Sequence, residues 1–192
     1  MKAFGRIARD LITSPRSFTK PRAVDTAEAP VVGGVAPPLP MLDGERAIVA
    51  FLRHVGCPFA EKTLRELARL GELHPSTAFI AVTHSPHEPT RAWCAAFGGA
   101  GVVRLVADPD RAHYGAWGVG VGDRAHFGGR ESMASLRVLA AEGIHNRRAS
   151  GSRWQTAATF AVADGVIVWR HLPAHAGDLP PLNAAITALQ PR

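Results

Sequence analysis

The chain has 192 residues, 46% apolar and 20% charged, enough for one well-buried domain with an appendage and too few for two full-sized domains. Its two cysteines, Cys57 and Cys94, stand far apart. That excludes a disulfide scaffold and any local metal clip of paired Cys-x-x-Cys type, and makes a reducing compartment, the cytoplasm, the expected location. The formal charge of +6 resides mostly in residues 1–22, where Lys2, Arg6, Arg9, Arg16, Lys20 and Arg22 face only Asp10. The remainder is close to neutral, which argues against a nucleic-acid groove.

Taken in chain order, Phe4, Ile7 and Leu11 fall at helical spacing with Arg6 and Arg9 between them, so a short amphipathic helix is expected before Pro15. It lacks the apolar stretch and small-residue cleavage site of a secretory signal. Residues 1–22 are therefore read as a basic tail. Three roles stand open for it: a helix docked on the surface, a weak contact for an anionic membrane or a protein partner, or an organelle-type presequence. Residues 23–40, with Ala36-Pro37-Pro38-Leu39-Pro40, read as a Pro/Gly-rich linker into a domain spanning 41–192. No apolar run approaches the roughly 18 residues of a transmembrane helix, so a soluble protein is expected.

Within the domain, Arg46 to Arg53 has the pattern of a buried central strand, and Pro58 through Leu73 places Leu64, Leu67, Leu70 and Leu73 at helical spacing. A second strand is expected over Thr77 to Thr83 and a helix around Thr90 to Phe97. A third strand over Val102 to Ala107 precedes Asp108-Pro109, an N-cap and first-turn pair for a short helix through Trp117. Residues 118–152 read as a Gly-rich insertion with one helix near Ser132 to Ala141. Ala157 to Ala163 and Val166 to His171 flank Asp164-Gly165, a hairpin signal, and Leu182 to Leu189 closes as a helix that Asp178 would cap. The alternation predicts an α/β fold, a mixed sheet with helices on both faces.

Cys57 follows an apolar run, precedes Pro58 and opens a helical pattern. A thiol at a helix N-terminus meets unpaired backbone N–H groups and the helix dipole, both of which favour a thiolate. Cys94, in an apolar helix, reads as core packing, with a resolving role only if its helix approaches Cys57. The pairs His84/His87 and His171/His175 near Asp178 invite a metal reading that nothing in the sequence brings together, so no metal and no cofactor is expected. Gly118-x-Gly120-x-Gly122 and Gly98-Gly99-Ala100-Gly101 lack the continuation of a phosphate loop. Trp154 is placed either against the Cys57 pocket or over the core.

The order strand, helix, strand, helix, strand, helix, hairpin, helix is thioredoxin-like with an extra central unit. Phe51 to Phe59 around Gly56-Cys57-Pro58, Ala107 to Arg111 with Tyr114 and Trp117-Gly118, and Thr159-Phe160-Ala161-Val162 with Gly165 to Val168 together resemble the AhpC/TSA-type peroxiredoxin-like family over roughly residues 36–190. That resemblance implies a thioredoxin-like fold and an antioxidant redox activity at Cys57. The chain departs from the family pattern at several places. His54 stands where such proteins have a Thr and Ala50 where they have a Pro, the usual arginine of the hairpin strand falls on Ala157, and the second Cys of a dithiol site falls on Ala60. Ala158 takes the place of the cis-proline of dithiol reductases.

The leading expectation is a thiol-dependent oxidoreductase that reduces hydrogen peroxide or an organic hydroperoxide by one-cysteine chemistry. Cys57 would be the peroxidatic thiolate, Arg53, His54 and Arg153 the assisting donors, and an external thiol such as glutathione or thioredoxin the reductant. Two alternatives remain: a catalytically silent thioredoxin-fold module that binds through its basic tail, and monothiol-glutaredoxin-like exchange with glutathione.

Overall fold

A computed structural model describes residues 14–44 and 46–190; the amphipathic helix expected before Pro15 lies outside them, apart from Ser14. A five-stranded sheet runs in the order β3-β2-β1-β4-β5, formed by β1 (Ala47–Phe51), β2 (Ala78–Thr83), β3 (Arg104–Ala107), β4 (Ala158–Ala163) and β5 (Val166–His171). The first three strands are parallel, and β4 runs antiparallel to both β1 and β5. The helices are α1 (Pro58–Leu73), α2 (His87–Ala95), α3 (Ala112–Ala116), α4 (Arg124–Gly128), α5 (Arg130–Ala141) and α6 (Leu182–Ala188).

All five residues of β1 are buried, as a strand covered on both faces requires. Its period of two divides them between two cores: Ile48 and Ala50 join Leu64, Leu67 and Leu70 of α1 and Ile186 of α6, while Val49 and Phe51 join Tyr114, Trp117 and Phe160. Leu73, expected on the α1 stripe, is 60% exposed because the stripe has rotated off the sheet by the last turn. Tyr114 fastens the end of the sheet that carries the site. Its hydroxyl lies 2.5 Å from the carbonyl oxygen of Leu52 and 2.9 Å from that of Val82, so one buried phenol bridges the ends of β1 and β2.

Three local expectations are corrected. Asp108-Pro109 does not start α3. Arg111 sits in the left-handed region and turns the chain first, so the Asp108 carboxylate reaches forward to accept from the N–H groups of Ala112 and Tyr114, both at 3.0 Å. The Gly-rich insertion holds two helices, because Asp123 caps a separate short one by accepting from His126 N at 2.8 Å. Asp178 does not cap α6. Pro180 and Pro181 intervene, and its carboxylate accepts instead from Ala174 N and lies 3.5 Å from His171. The hairpin follows the sequence signal, with Asp164 and Gly165 both at positive φ as a type I′ turn demands.

The stretch read as a linker is laid along the domain as a strap. Its backbone bonds Gly115, Gly165 and Ile167, and the carbonyls of Ala29 and Pro30 accept from Arg170. Gly118 at φ +69 lies so close under Ala29 that a Cβ there would collide with the strap's backbone. The preceding residues, 14–20, are pinned to the segment 149–154, and Phe18 among them lines the cavity described below.

Glu61, in the first turn of α1, holds the loop 144–150 in place. Its carboxylate is 1% exposed and accepts from Arg65 at 2.7 Å and from Arg147 at 2.8 Å. Burial alone would raise its pKa, but the hydrogen bonds from Arg147 and Arg65 outweigh that and hold it below the ordinary glutamate range. A carboxyl depressed in the folded state stabilises the fold above its unfolded pKa and loses that contribution as pH falls through the folded value. Because both arginines are partly solvated, the expected cost of Glu61→Gln is about 2 kcal/mol at pH 7. The gap between variant and parent should narrow in urea titrations run below pH ~4. A gap of constant size across that range would remove the carboxylate from this role.

Candidate functional site

β1 ends at Phe51, and the next residues, Leu52 to Gly56, form the turn that feeds α1. Gly56 has φ +86, and a Cβ there would lie 2.5 Å from the carbonyl oxygen of Arg148, so only glycine lets loop 144–150 close against this turn. The closure is bonded on both sides, Arg147 N donating to Gly56 O at 2.9 Å and Ser150 N to Val55 O at 3.2 Å. Cys57 is thereby placed as the N-cap residue of the 16-residue α1, with Pro58 at its first position. The N–H groups of Phe59 and Ala60 have no carbonyl within the helix to bond, which leaves donors at the end where the thiol sits.

Arg53 makes the direct contact with the thiol. Its Nη1 lies 3.4 Å from Cys57 Sγ, while Nη2 donates to the carbonyl of Arg153 at 2.6 Å and Nε to that of Gln155 at 3.4 Å. The guanidinium is 5% exposed and pairs with no carboxylate among the described residues. His54 is also buried, and its Nδ1 lies 2.9 Å from the carbonyl of Val55. A carbonyl can only accept, so Nδ1 carries the hydrogen and Nε2 keeps its lone pair. Burial, with the positive charges of Arg53 and Arg153 next in weight, pushes the His54 pKa well below its ordinary value, and the ring is neutral at neutral pH.

Arg153, the third expected donor, reaches the same cavity from the other side. Its Nε donates to Ser17 Oγ at 2.8 Å and its guanidinium lies 4.9 Å from the centroid of the Phe18 ring. Cys57, Arg53, His54 and Arg153 therefore border one cavity of about 210 Å³. Asn146 adds a further polar side chain, and Phe18, Phe59, Phe127, Met133 and Leu136 supply apolar walls. Phe18 comes from the basic tail and Phe127 and Met133 from the Gly-rich insertion, regions whose sequence carries no local signal of a shared site.

The remaining sequence candidates lie elsewhere. Cys94 is buried in the core on α2, where burial pushes its thiol up to about 11, and it does not border the cavity. Both cysteines are free thiols. Ala60 is buried beside Cys57 in α1, an apolar side chain where a dithiol site would have its second sulfur. Trp154 stands behind the wall, packed edge-on against Phe127 at 5.1 Å. His84 accepts from Ser152 N at 2.9 Å, and burial lowers its pKa to about 4, so it braces the 150–155 segment as a neutral ring. Among the described residues no group of three or more His, Cys, Asp or Glu side chains is placed to hold a metal, and no helix is long and apolar enough to cross a membrane.

Comparison with solved structures places this architecture among the peroxiredoxins. A thiol peroxidase from Chromobacterium violaceum superposes with a TM-score of 0.61 at 15% identity, covering 87% of this chain and 90% of that one. A peroxiredoxin 6 of Arenicola marina gives 0.60 at 12% identity, over 83% and 71% of the two chains. A reduced Prx3 of Vibrio vulnificus in complex with hydrogen peroxide gives 0.54 at 15% identity, over 88% and 96%. At these identities the likeness is one of fold. No curated protein sequence matches the chain. The model of the AhpC/TSA antioxidant enzyme family matches residues 63–175, a span that begins in α1 just beyond Cys57. With more than half of its length matched and the mixed five-stranded sheet of its structural relatives, the chain belongs to the AhpC/TSA antioxidant enzyme family, with a thioredoxin-like, peroxiredoxin-like fold.

Proposed function

We propose that the protein is a one-cysteine peroxidase that reduces hydrogen peroxide or an organic hydroperoxide through Cys57 and is restored by an external thiol. The observation that carries this reading is the buried Arg53 guanidinium, held by two backbone carbonyls and turned toward Cys57 Sγ with no carboxylate among the described residues to balance it. A buried cation without an anion is costly, and a thiolate at Cys57 supplies the missing charge at hydrogen-bond range. The same guanidinium, with Arg153 across the cavity, is placed to stabilise negative charge on a departing oxygen.

The thiolate sulfur attacks the terminal oxygen of the hydroperoxide. An S–O bond forms, the O–O bond breaks, and the alkoxide or hydroxide leaves and takes up a proton. Cys57 is oxidised to a sulfenic acid and the peroxide is reduced to an alcohol or water. His54 stays neutral on the cavity wall, where burial and the cations beside it oppose its taking up a proton, so the proton that Cys57 gives up and the one the leaving oxygen takes are exchanged with solvent. A first external thiol then attacks the sulfenic sulfur, releasing water and leaving a mixed disulfide. A second thiol attacks that disulfide, so Cys57 returns as a thiol and the reductant leaves as its own disulfide. Ala60 and the core-buried Cys94, which does not border the cavity, leave the restoring sulfur to come from outside the chain.

Brief treatment with hydrogen peroxide should form a dimedone-trappable sulfenic acid on Cys57, absent from Cys57→Ser and retained in Cys94→Ser. A parent protein that stays unlabelled while a free thiol in the same solution oxidises would sink the proposal. Arg53→Ala, checked for an unchanged circular dichroism spectrum, should slow sulfenic acid formation by roughly 10²-fold, the scale of losing one preorganised charge-stabilising donor. An unaltered rate in that variant would remove Arg53 from the chemistry and leave Cys57 to the helix terminus alone.

A further inference from the structure

The N-terminal segment 14–20 is built into the mouth of the Cys57 cavity. Ser14 Oγ accepts from Ala149 N at 3.1 Å, the Ser17 carbonyl from Arg153 N at 2.8 Å, and the Phe18 carbonyl from Trp154 Nε1 at 2.7 Å. The Thr19 carbonyl accepts from Ser152 Oγ at 3.1 Å. Bonded this way along its length, the segment contributes one side chain, Phe18, to the cavity wall. Phe18 is 41% exposed, lies on the Arg153 guanidinium and forms part of the cavity wall. Cys57, on the wall of the same cavity, is 1% exposed.

A disulfide requires two sulfurs about 2.05 Å apart with their Cβ atoms near 3.8 Å. A cysteine on the surface of a folded protein cannot bring its sulfur that close to one recessed behind an aromatic wall unless the wall moves. A small thiol entering a cavity of about 210 Å³ meets no such obstacle. We infer that Phe18, held by the N-terminal segment, is a specificity-determining residue that opens Cys57 to low-molecular-weight thiols, such as glutathione or free cysteine, and closes it to protein thiols. The inference rests on reading Cys57 as the redox thiol, and names the class of its reductant.

The test uses the full chain carrying Cys94→Ala, so that one thiol reports. The reduced protein is alkylated with N-methylmaleimide and with N-(1-pyrenyl)maleimide, which share a reaction and differ in bulk. Phe18→Ala should raise the pyrenyl rate about tenfold, equivalent to roughly 1.4 kcal/mol of lost barrier, with the methyl rate unchanged within about twofold, and Phe18→Trp should restore the parent ratio. After one equivalent of peroxide, glutathione should regenerate the parent thiol and a thioredoxin should not, whereas Phe18→Ala should gain regeneration by thioredoxin. Equal regeneration of the parent by both reductants, or a Phe18→Ala substitution that moves both maleimides alike or neither, overturns the filter. Absence of any sulfenic acid overturns the peroxidase reading instead, while the alkylation ratio still decides whether Phe18 gates the thiol.

Discussion

Arg53 is a cation that has been taken out of water without a carboxylate among the described residues to pair with it. Everything around Cys57 is arranged by how that charge is satisfied. Two of its nitrogens are spent on the carbonyls of Arg153 and Gln155, which fixes the plane of the guanidinium and leaves Nη1 facing Sγ. Those carbonyls sit on an irregular segment that has no helix or strand to hold it and is braced from several sides: by Ser152 on neutral His84, by Gln155 Nε2 on the carbonyls of Val119 and Gly120, and by Arg153 on Ser17. The segment before it is held down by Arg147 on Glu61 and by the close approach that Gly56 permits. The contact between one guanidinium and one sulfur thus depends on elements drawn from four distant parts of the chain.

That dependence explains what could be read in the sequence. The strand-turn-helix around Cys57 and the Asp164-Gly165 hairpin were legible because their signals are local: an apolar run, a 3.6-residue period, a dipeptide that tolerates positive φ. Arg53 and His54 were legible for the same reason, lying within four residues of the thiol. Arg153 stood out only as a basic residue before a strand, and the feature that now defines it, its stacking on Phe18, joins residues 135 positions apart. Phe18, Asn146, Phe127 and Met133 were not legible at all. Their elements are Pro/Gly-rich or short, and segment 14–20 is attached largely through its own backbone carbonyls, which any residue type supplies. The same blindness misplaced Asp108 and Asp178. Each carboxylate satisfies backbone N–H groups, as a cap should, but a left-handed residue or a proline pair altered which ones.

The departures from the family pattern look less like losses once the geometry is known. The arginine expected on the hairpin strand falls on Ala157, yet Arg53, four residues before the thiol, puts a guanidinium on Sγ from the strand side. His54, in the place of a Thr, offers a lone pair at Nε2 where a hydroxyl would offer oxygen, and burial, with the neighbouring cations next in weight, keeps that ring neutral. On the proposed chemistry charge balance, the first need of the peroxide step, is met by Arg53. Arg53 serves the fold as well as the thiol, because its donation to the carbonyls of Arg153 and Gln155 is something no apolar side chain could supply.

The missing second cysteine and the closed cavity then follow from one constraint. A resolving cysteine elsewhere in the chain can reach a peroxidatic sulfur only if the first turn of its helix unwinds and carries the sulfur outward. Here that turn is tied down by Glu61, whose buried carboxylate holds Arg65 on the helix and Arg147 on the loop that closes over Gly56. Unwinding would strip a buried carboxylate of both partners. With the turn anchored and Ala60 in place of a second sulfur, the proposed chemistry leaves Cys57 beside Arg53 and brings the reductant inward. On the proposed chemistry a thiol that does not move outward takes its reductant through the same cavity as its peroxide, so the wall that admits one co-substrate also selects the other.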